Sequence, residues 1–131
     1  MSNEKIKVVL LEPGKQARTA KIDASLAGMQ QVVGGYIETA HFFDEPVCLV
    51  CNEEGKISKL PLNRAIYGND KKILDIIAGT AFICDCSGES FGSLSEKQLK
   101  QYAKQFKNPE RFININGDIS AIPIKPQQHE R

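Results

Sequence analysis

Short apolar segments separated by turn residues constrain the fold of this chain more than any other feature of its sequence. Three of them, IKVVLL (6–11), VCLVC (47–51) and TAFIC (80–84), have the length and the β-branched content of buried strands. Turn-forming residues follow the first at 12–15 and the second at 52–55. Because strands joined by short turns pair with their neighbours, the sequence predicts a mainly antiparallel sheet.

Two other segments have the apolar spacing of a helix. In DASLAGMQQVVGG, Asp23 or Ser25 is suited to the N-cap, and Gly34 or Gly35 can end the helix in the left-handed conformation. Glycines that cradle a phosphate precede a helix, whereas this pair follows one. We therefore interpret the two glycines as a helix end.

The second helical segment, residues 95–106, has the clearer boundaries. Ser95 precedes Gln98 by the spacing of a capping box, and Leu94 and Leu99 have the spacing of a hydrophobic staple. A chain of 131 residues suits one core. We predict a single α+β domain, in which two helices pack on a mainly antiparallel sheet.

The segment on either side of Pro61 is the hardest to assign. Residues 56–60 are predicted to return from the 52–55 turn as a strand, which Pro61 ends because it has no N–H. Residues 62–65 are then expected to leave the sheet as a loop. Residues 73–77 fit either a helical turn or an extended segment.

The ends of the chain define the expected domain organisation. Residues 36–43 are predicted to form a strand of a compact domain at 1–108. Residues 109–131 are expected to form a C-terminal extension. It comprises a hairpin that turns at Asn116 and Gly117, followed by a loose tail.

Charge and hydropathy exclude several functional classes. Seventeen basic and sixteen acidic residues give a net charge of +1, and no DNA-reading helix is recognisable, so specific nucleic-acid binding is not expected. The apolar runs are too short to span a membrane, and the N-terminus lacks the pattern of a signal peptide. We expect a cytoplasmic protein with no membrane partner.

The four cysteines have spacings that raise the question of a metal. Cys48 and Cys51 form C-x-x-C, and Cys84 and Cys86 form C-x-C. Both pairs lie in strand-like segments, where Cys48 and Cys51 point to opposite faces, rather than on the tight turn of a zinc knuckle. We expect buried apolar thiols, no metal site and no cofactor.

Polar residues near the middle of the chain form the candidate ligand site, which consists of Tyr36, Asn63, Arg64, Asp75 and Thr80. In one interpretation Arg64 forms a buried ion pair with Asp75, whose sequence neighbours are apolar. In the other, Asn63 and Arg64 face a cleft near Thr80 and Tyr36 and hold an anionic or amide-bearing ligand.

Groups suited to catalysis are sparse. His41 and His129 are the only histidines, and Glu53 and Glu54 lie together on a turn where carboxylates are solvated. No nucleophile elbow, zinc-protease motif or P-loop is present. We therefore expect a non-enzymatic protein. The alternative is a hydrolase or transferase for a phosphorylated ligand, which would depend on His41, Glu53 or Asp75.

An ordered series of motifs resembles a known family. LLEPGK, VVGGYIE, CNEEGK, LPLNRAI, DIIAGTAFI and the segment FGSLSEKQLKQYAKQF together resemble the family called domain of unknown function 3846, over residues 6–106. The resemblance implies a small accessory protein of phages, plasmids or integrated elements, largely in Gram-positive bacteria. It transfers no activity and no catalytic residue.

The leading hypothesis combines these observations. We expect a protein that binds a small ligand or a host protein, in counter-defence by sequestering a nucleotide signal or in maintenance of the element. A structural module that interacts only with the element's own machinery is the further alternative. A homo-oligomer is expected, because a small sheet of apolar strands leaves edges that need cover.

Overall fold

The computed structural model describes residues 4–124. Within that range the elements follow one another along the chain as β1 (Lys5–Leu11), β2 (Arg18–Asp23), α1 (Leu26–Val33), β3 (Ile37–Ala40), β4 (Val47–Asn52), β5 (Leu62–Tyr67), β6 (Ile73–Ala78), β7 (Ala81–Asp85), α2 (Glu96–Gln105), β8 (Glu110–Ile115) and β9 (Asp118–Pro123).

A five-stranded sheet in the order β2-β1-β7-β4-β3 forms the centre of the molecule, and every neighbouring pair in it is antiparallel. Strand β7 lies in the middle and joins the β1–β2 hairpin to the β3–β4 hairpin. Two smaller antiparallel pairs, β5–β6 and β8–β9, complete the strands of the described chain. The predicted α+β class with a mainly antiparallel sheet is confirmed.

Both faces of the five-stranded sheet are covered. Helix α1 packs Met29 and Val33 onto one face, and α2 packs Leu99 and Tyr102 onto the other, where the β5–β6 pair also lies. Every residue of β4 before Asn52 is therefore buried. This two-sided burial explains why VCLVC is apolar throughout instead of alternating with polar residues.

The helix ends form as their local sequences predict. Ser25 caps α1 and accepts a hydrogen bond from the Gly28 N–H at 3.0 Å, while Gly34 ends the helix with φ of 82°. In α2, the Ser95 hydroxyl accepts from the Gln98 N–H and the Gln98 side chain accepts from the Ser95 N–H. Both predicted helices and the capping box are confirmed.

The predictions around Pro61 are corrected by the structure. Residues 56–60 form no strand, with turns as far as Lys59, and β4 pairs with β3 and β7 instead. Residues 62–65 belong to strand β5, because Pro61 precedes the strand and its missing N–H interrupts no ladder. Residues 73–77 are extended, within β6.

Two further segments complete the comparison with the predicted elements. Strand β3 covers only Ile37–Ala40 of the predicted residues 36–43. The predicted C-terminal hairpin is formed by β8 and β9, with Asn116 at φ 52° and Gly117 at φ 90° in its two-residue turn. The predicted loose tail, residues 125–131, lies outside the described residues.

Candidate functional site

Arg64 lies on β5 with only 2% of its surface exposed. A guanidinium carries five N–H donors, and the Nε, Nη1 and Nη2 atoms of Arg64 bond to five oxygens: Phe106 O at 2.7 Å, Glu12 O at 3.3 Å, Asn63 Oδ1 at 2.6 Å, Lys15 O at 2.7 Å and Lys107 O at 3.3 Å. The side chain thereby ties β5 to the end of β1 and to the end of α2. Its hydrogen-bonding capacity is fully used within the protein.

The charge of Arg64 is balanced by backbone dipoles. Two of its acceptors, the carbonyls of Phe106 and Lys107, lie at the C-terminal end of α2, where the helix dipole is negative. Burial lowers the pKa of Arg64 to about 10, and the charge of Glu110 acts in the opposite direction. The guanidinium consequently stays protonated at neutral pH.

Asn63 extends the same network and is fully buried. Its Nδ2 donates to Leu11 O at 3.0 Å and to Gly79 O at 2.8 Å, while its Oδ1 accepts from Arg64. Side-chain amides and guanidinium groups are buried at low cost only when their partners are complete. Asn63 and Arg64 therefore act together as a polar link between β5 and the central sheet.

The ion pair between Arg64 and Asp75 is not formed, so that interpretation is wrong. Asp75 is exposed on β6 and pairs with Lys56. Apolar neighbours in the sequence do not bury it, because successive side chains of a strand point to opposite sides and β6 lies at the edge of a two-stranded sheet.

Two of the other predicted site residues, Tyr36 and Asp75, line cavities that Arg64 does not line. Tyr36 is 68% exposed at the rim of a groove of about 250 Å³. Asp75 lines a different cavity of about 320 Å³, Arg64 lines a third of about 140 Å³, and Thr80 is half-buried just before β7. The structure brings Asn63 and Arg64 together and places Tyr36 and Asp75 at other cavities, while Thr80 directly follows Gly79, whose carbonyl accepts from Asn63. Their role in binding a ligand stays a prediction.

The cavity beside Arg64 has aromatic walls, formed by Phe42, Phe43, Tyr67 and Phe106. Glu110 closes one side, where its carboxylate accepts from the Ala65 N–H at 2.8 Å and from the Tyr67 hydroxyl at 2.9 Å. Burial and this hydrogen bond to Glu110 raise the pKa of Tyr67 to about 12. At about 140 Å³ the cavity is below the size of most small-molecule sites.

A larger groove lies between α2 and the β1–β2 hairpin, with a volume of about 590 Å³. We call it the lysine groove, after Lys7, Lys21 and Lys100, which line it together with Thr19, Ala20, Glu96, Leu99 and Ala103. Lys7 and Lys21 are direct partners in the antiparallel register. The Glu96 carboxylate lies 3.5 Å from Lys7 Nζ and is the single acidic group among the lining residues.

The alternation of charged and apolar residues in β1 and β2 is the sequence signal for this groove. In KIKVV and RTAKI, lysines occupy positions that face away from the apolar side of their strand. Lys100 of α2 lines the same groove. Its position near Lys7 and Lys21 depends on the way α2 crosses the β1–β2 hairpin, which the sequence pattern does not specify.

The cysteines lie on both sides of the central sheet. Cys48 and Cys84 are opposite each other on β4 and β7, with their Sγ atoms 3.9 Å apart, and Cys51 lies in the core on the other face, as predicted. Burial raises the pKa of Cys51 to about 11, so its thiol is neutral at pH 7. Within residues 4–124, no group of three or more metal-ligating side chains is placed to hold an ion.

Residues of the catalytic alternative occupy two places. Glu53 and Asp75 line the cavity of about 320 Å³ together with Lys56. The exposed His41 lies elsewhere, with its Nδ1 atom 4.0 Å from Cys86 Sγ. The three side chains therefore do not form one site.

The molecule is a small α+β domain that has a buried polar network on one side of β5 and a cationic surface groove beside α2. It belongs to the family described as a domain of unknown function, DUF3846, whose family model matches residues 6–107. The match runs from β1 to just beyond α2, so the β8–β9 hairpin lies outside it. No curated protein and no solved structure matches the chain. No helix within residues 4–124 is long and apolar enough to cross a membrane.

Proposed function

We propose that this protein binds a small phosphorylated ligand, a nucleotide, in the lysine groove and holds it without converting it. The observation that carries the proposal is the direct opposition of Lys7 and Lys21 across the β1–β2 pair, with Lys100 on the facing helix. Like charges directly opposite each other destabilise a sheet. A ligand anion between them replaces this repulsion with attraction.

The charge balance of the groove supports an anion with more than one negative charge. Glu96 offsets one of the three ammonium groups, and its side chain is 76% exposed. Lysine binds phosphate as a mobile point charge without a fixed geometry. The groove therefore suits mono- and diphosphates more than a planar carboxylate, which a paired arginine would recognise.

The size and the floor of the groove support a nucleotide within that class. Its volume of about 590 Å³ lies in the range of small-molecule sites. Leu99 and Ala103 supply an apolar floor, and Thr19 supplies a hydroxyl. A phosphate among the lysines and a base against Ala103 use both kinds of surface.

A role in a mobile genetic element follows from the family resemblance and from binding without conversion. A phage, plasmid or integrated element gains protection if a stoichiometric protein withdraws a nucleotide signal from the host's defence. Such a protein needs cationic contacts and no general base. This role is part of the proposal, and it places the protein in the cytoplasm of a bacterial host.

The first experiment measures nucleotide binding by isothermal titration calorimetry at low ionic strength, with a panel of linear and cyclic mono- and dinucleotides. We expect binding that weakens as salt is added, because exposed charges are screened. The Lys7→Gln/Lys21→Gln double variant should bind about tenfold more weakly or worse, since each ammonium contributes roughly 1 kcal/mol or more at contact distance. The Lys71→Gln/Lys72→Gln variant has the same net charge as the Lys7→Gln/Lys21→Gln variant, but its substitutions lie outside the groove, so it should bind like the wild type.

Two results would overturn the proposal. If no nucleotide of the panel binds at low salt, the proposal that the ligand is a nucleotide is wrong. If both double variants weaken binding equally, the lysine groove is not the binding site. Chromatography of the recovered nucleotides tests the non-enzymatic part. If the wild type consumes the nucleotide and His41→Ala, Glu53→Gln or Asp75→Asn does not, the hydrolase or transferase alternative is favoured.

A further inference from the structure

The free edge of β9 differs from the other sheet edges of the described chain. Charged residues lie inside every other edge strand: Lys21 in β2, Glu38 in β3, Arg64 in β5, Asp75 in β6 and Arg111 in β8. In β9 the residues between Asp118 and Pro123 are Ile-Ser-Ala-Ile, with no charge. Proteins protect edges that must stay unpaired with inward charges or with proline. The edge of β9 carries no such protection between its ends.

The register of the hairpin shows which backbone groups of β9 are free to pair. Ile115 and Asp118 flank the two-residue turn, so they form a hydrogen-bonded pair, and such pairs alternate along the ladder. Ser120 and Ile122 accordingly point their N–H and C=O groups toward β8. The Ile124 N–H to Pro109 O bond at 2.7 Å continues the same alternation. Ile119 and Ala121 direct their N–H and C=O groups away from the hairpin.

We propose that β9 pairs antiparallel with β9 of a second copy of this chain, about a two-fold axis at Ser120. In this register Ile119 lies opposite the partner's Ala121, and Ala121 lies opposite the partner's Ile119. The outward groups of these two residues then form four N–H···O=C bonds between the copies. The result is a four-stranded sheet in the order β8-β9-β9-β8. Both copies use the same strand, β9, at the interface, as a two-fold axis requires.

The ends of β9 are compatible with this self-pairing. The backbone of Pro123 also faces away from β8, and proline has no N–H to donate. This position lies opposite the partner's Gly117, where the pairing ends at the hairpin turn. Asp118 lies opposite the partner's Ile122, so the two aspartates are about 14 Å apart along the strands. No like charges therefore meet across the pairing. Ile119, which is 50% exposed, gains cover from the partner's Ala121.

The position of β9 favours a second copy of this chain as the partner that pairs with its free edge. An edge that is complementary to itself needs no other protein, and β9 lies outside the residues that the family model matches. This chain therefore carries an appended hairpin that is able to assemble it without using the lysine groove. Dimerisation and nucleotide binding use different surfaces of the protein. A negative result for one proposal therefore does not contradict the other.

Sedimentation equilibrium of the full chain tests the pairing. We expect a concentration-dependent dimer. Ala121→Pro should weaken it roughly tenfold or more, because it deletes one intersubunit donor from each copy and leaves the β8–β9 ladder intact. Ile115→Ser, which removes an exposed apolar side chain from β8, is the matched control and should leave the dimer unchanged.

Ile119→Lys provides a second test in case proline unfolds the hairpin. It places a charge inside the edge strand and should also yield monomers. A wild type that stays monomeric at high concentration would refute the proposal. A dimer that survives Ala121→Pro and Ile119→Lys but dissociates with Ile115→Ser would place the interface on the face of the hairpin and would also refute edge pairing.

Discussion

Replacing Arg64 tests whether the buried guanidinium stabilises the fold through backbone carbonyls. Arg64→Met keeps an unbranched stem as far as the position of Nε but removes the rest of the guanidinium, which leaves five acceptors without their donor. The three short bonds, at 2.6, 2.7 and 2.7 Å, dominate the loss. At about 1–3 kcal/mol for each acceptor left unsatisfied, this loss is about 3–9 kcal/mol.

The charge itself offsets part of that loss. Burial lowers the pKa of Arg64 to about 10, so the folded protein holds the charged form less favourably than water does, by roughly 3 kcal/mol. Because Arg64→Met removes the charge, the variant no longer carries this unfavourable free energy in the folded state. Subtracting this cost from the loss of about 3–9 kcal/mol leaves an expected net destabilisation of about 0–6 kcal/mol for Arg64→Met. The middle of that range, about 3 kcal/mol, is a large part of the stability of a typical domain.

Urea unfolding followed by circular dichroism measures this difference. For a protein of this size, about 3 kcal/mol lowers the urea midpoint by roughly 1–3 M. Arg64→Lys retains the charge with three donors instead of five and should fall between the wild type and Arg64→Met, which keeps the test informative if the methionine variant fails to fold. Arg111→Met alters an exposed arginine and should stay within about 0.5 kcal/mol of the wild type. If Arg64→Met and Arg111→Met have the same midpoint, Arg64 and its carbonyl network contribute no net stability to the fold.

Two further predictions concern a helix cap and a tyrosine. Ser95→Ala should lower the free energy of unfolding by about 1 kcal/mol because it removes the α2 N-cap, whereas Ser90→Ala in an exposed loop should have little effect in the same urea assay. Glu110→Gln should lower the pKa of Tyr67 from about 12 toward 10, measured by tyrosinate absorbance in a Tyr102→Phe background, and an unchanged titration would contradict the hydrogen bond. Since the raised pKa of Tyr67 favours the folded protein below about pH 10, this stabilisation is lost as the pH rises through about 12.

Local signals explain which parts of the fold were predictable. The ends of α1 and α2 and the turn at Asn116 and Gly117 depend on residues within a few positions of one another, so the sequence identifies them directly. Strand β5 was missed because Pro61 was interpreted as ending a strand, whereas it precedes one.

The partners of Arg64 could not be predicted for a different physical reason. They are backbone oxygens 42 to 52 residues away in the sequence, at Phe106, Lys107, Lys15 and Glu12, apart from its neighbour Asn63. A carbonyl is present at every residue, so no side-chain pattern distinguishes these four. Apolar neighbours favoured Asp75 as the partner, but that carboxylate is exposed and binds Lys56.

The central position of β7 has a consequence for synthesis on the ribosome. The β1–β2 and β3–β4 hairpins are complete by Asn52, yet each meets the other only through Ala81–Asp85. Until those five residues leave the exit tunnel, the nascent chain holds two separate hairpins with unpaired apolar edges. Insertion of a single late strand then closes the sheet, and α2, which follows within about a dozen residues, covers one of its faces.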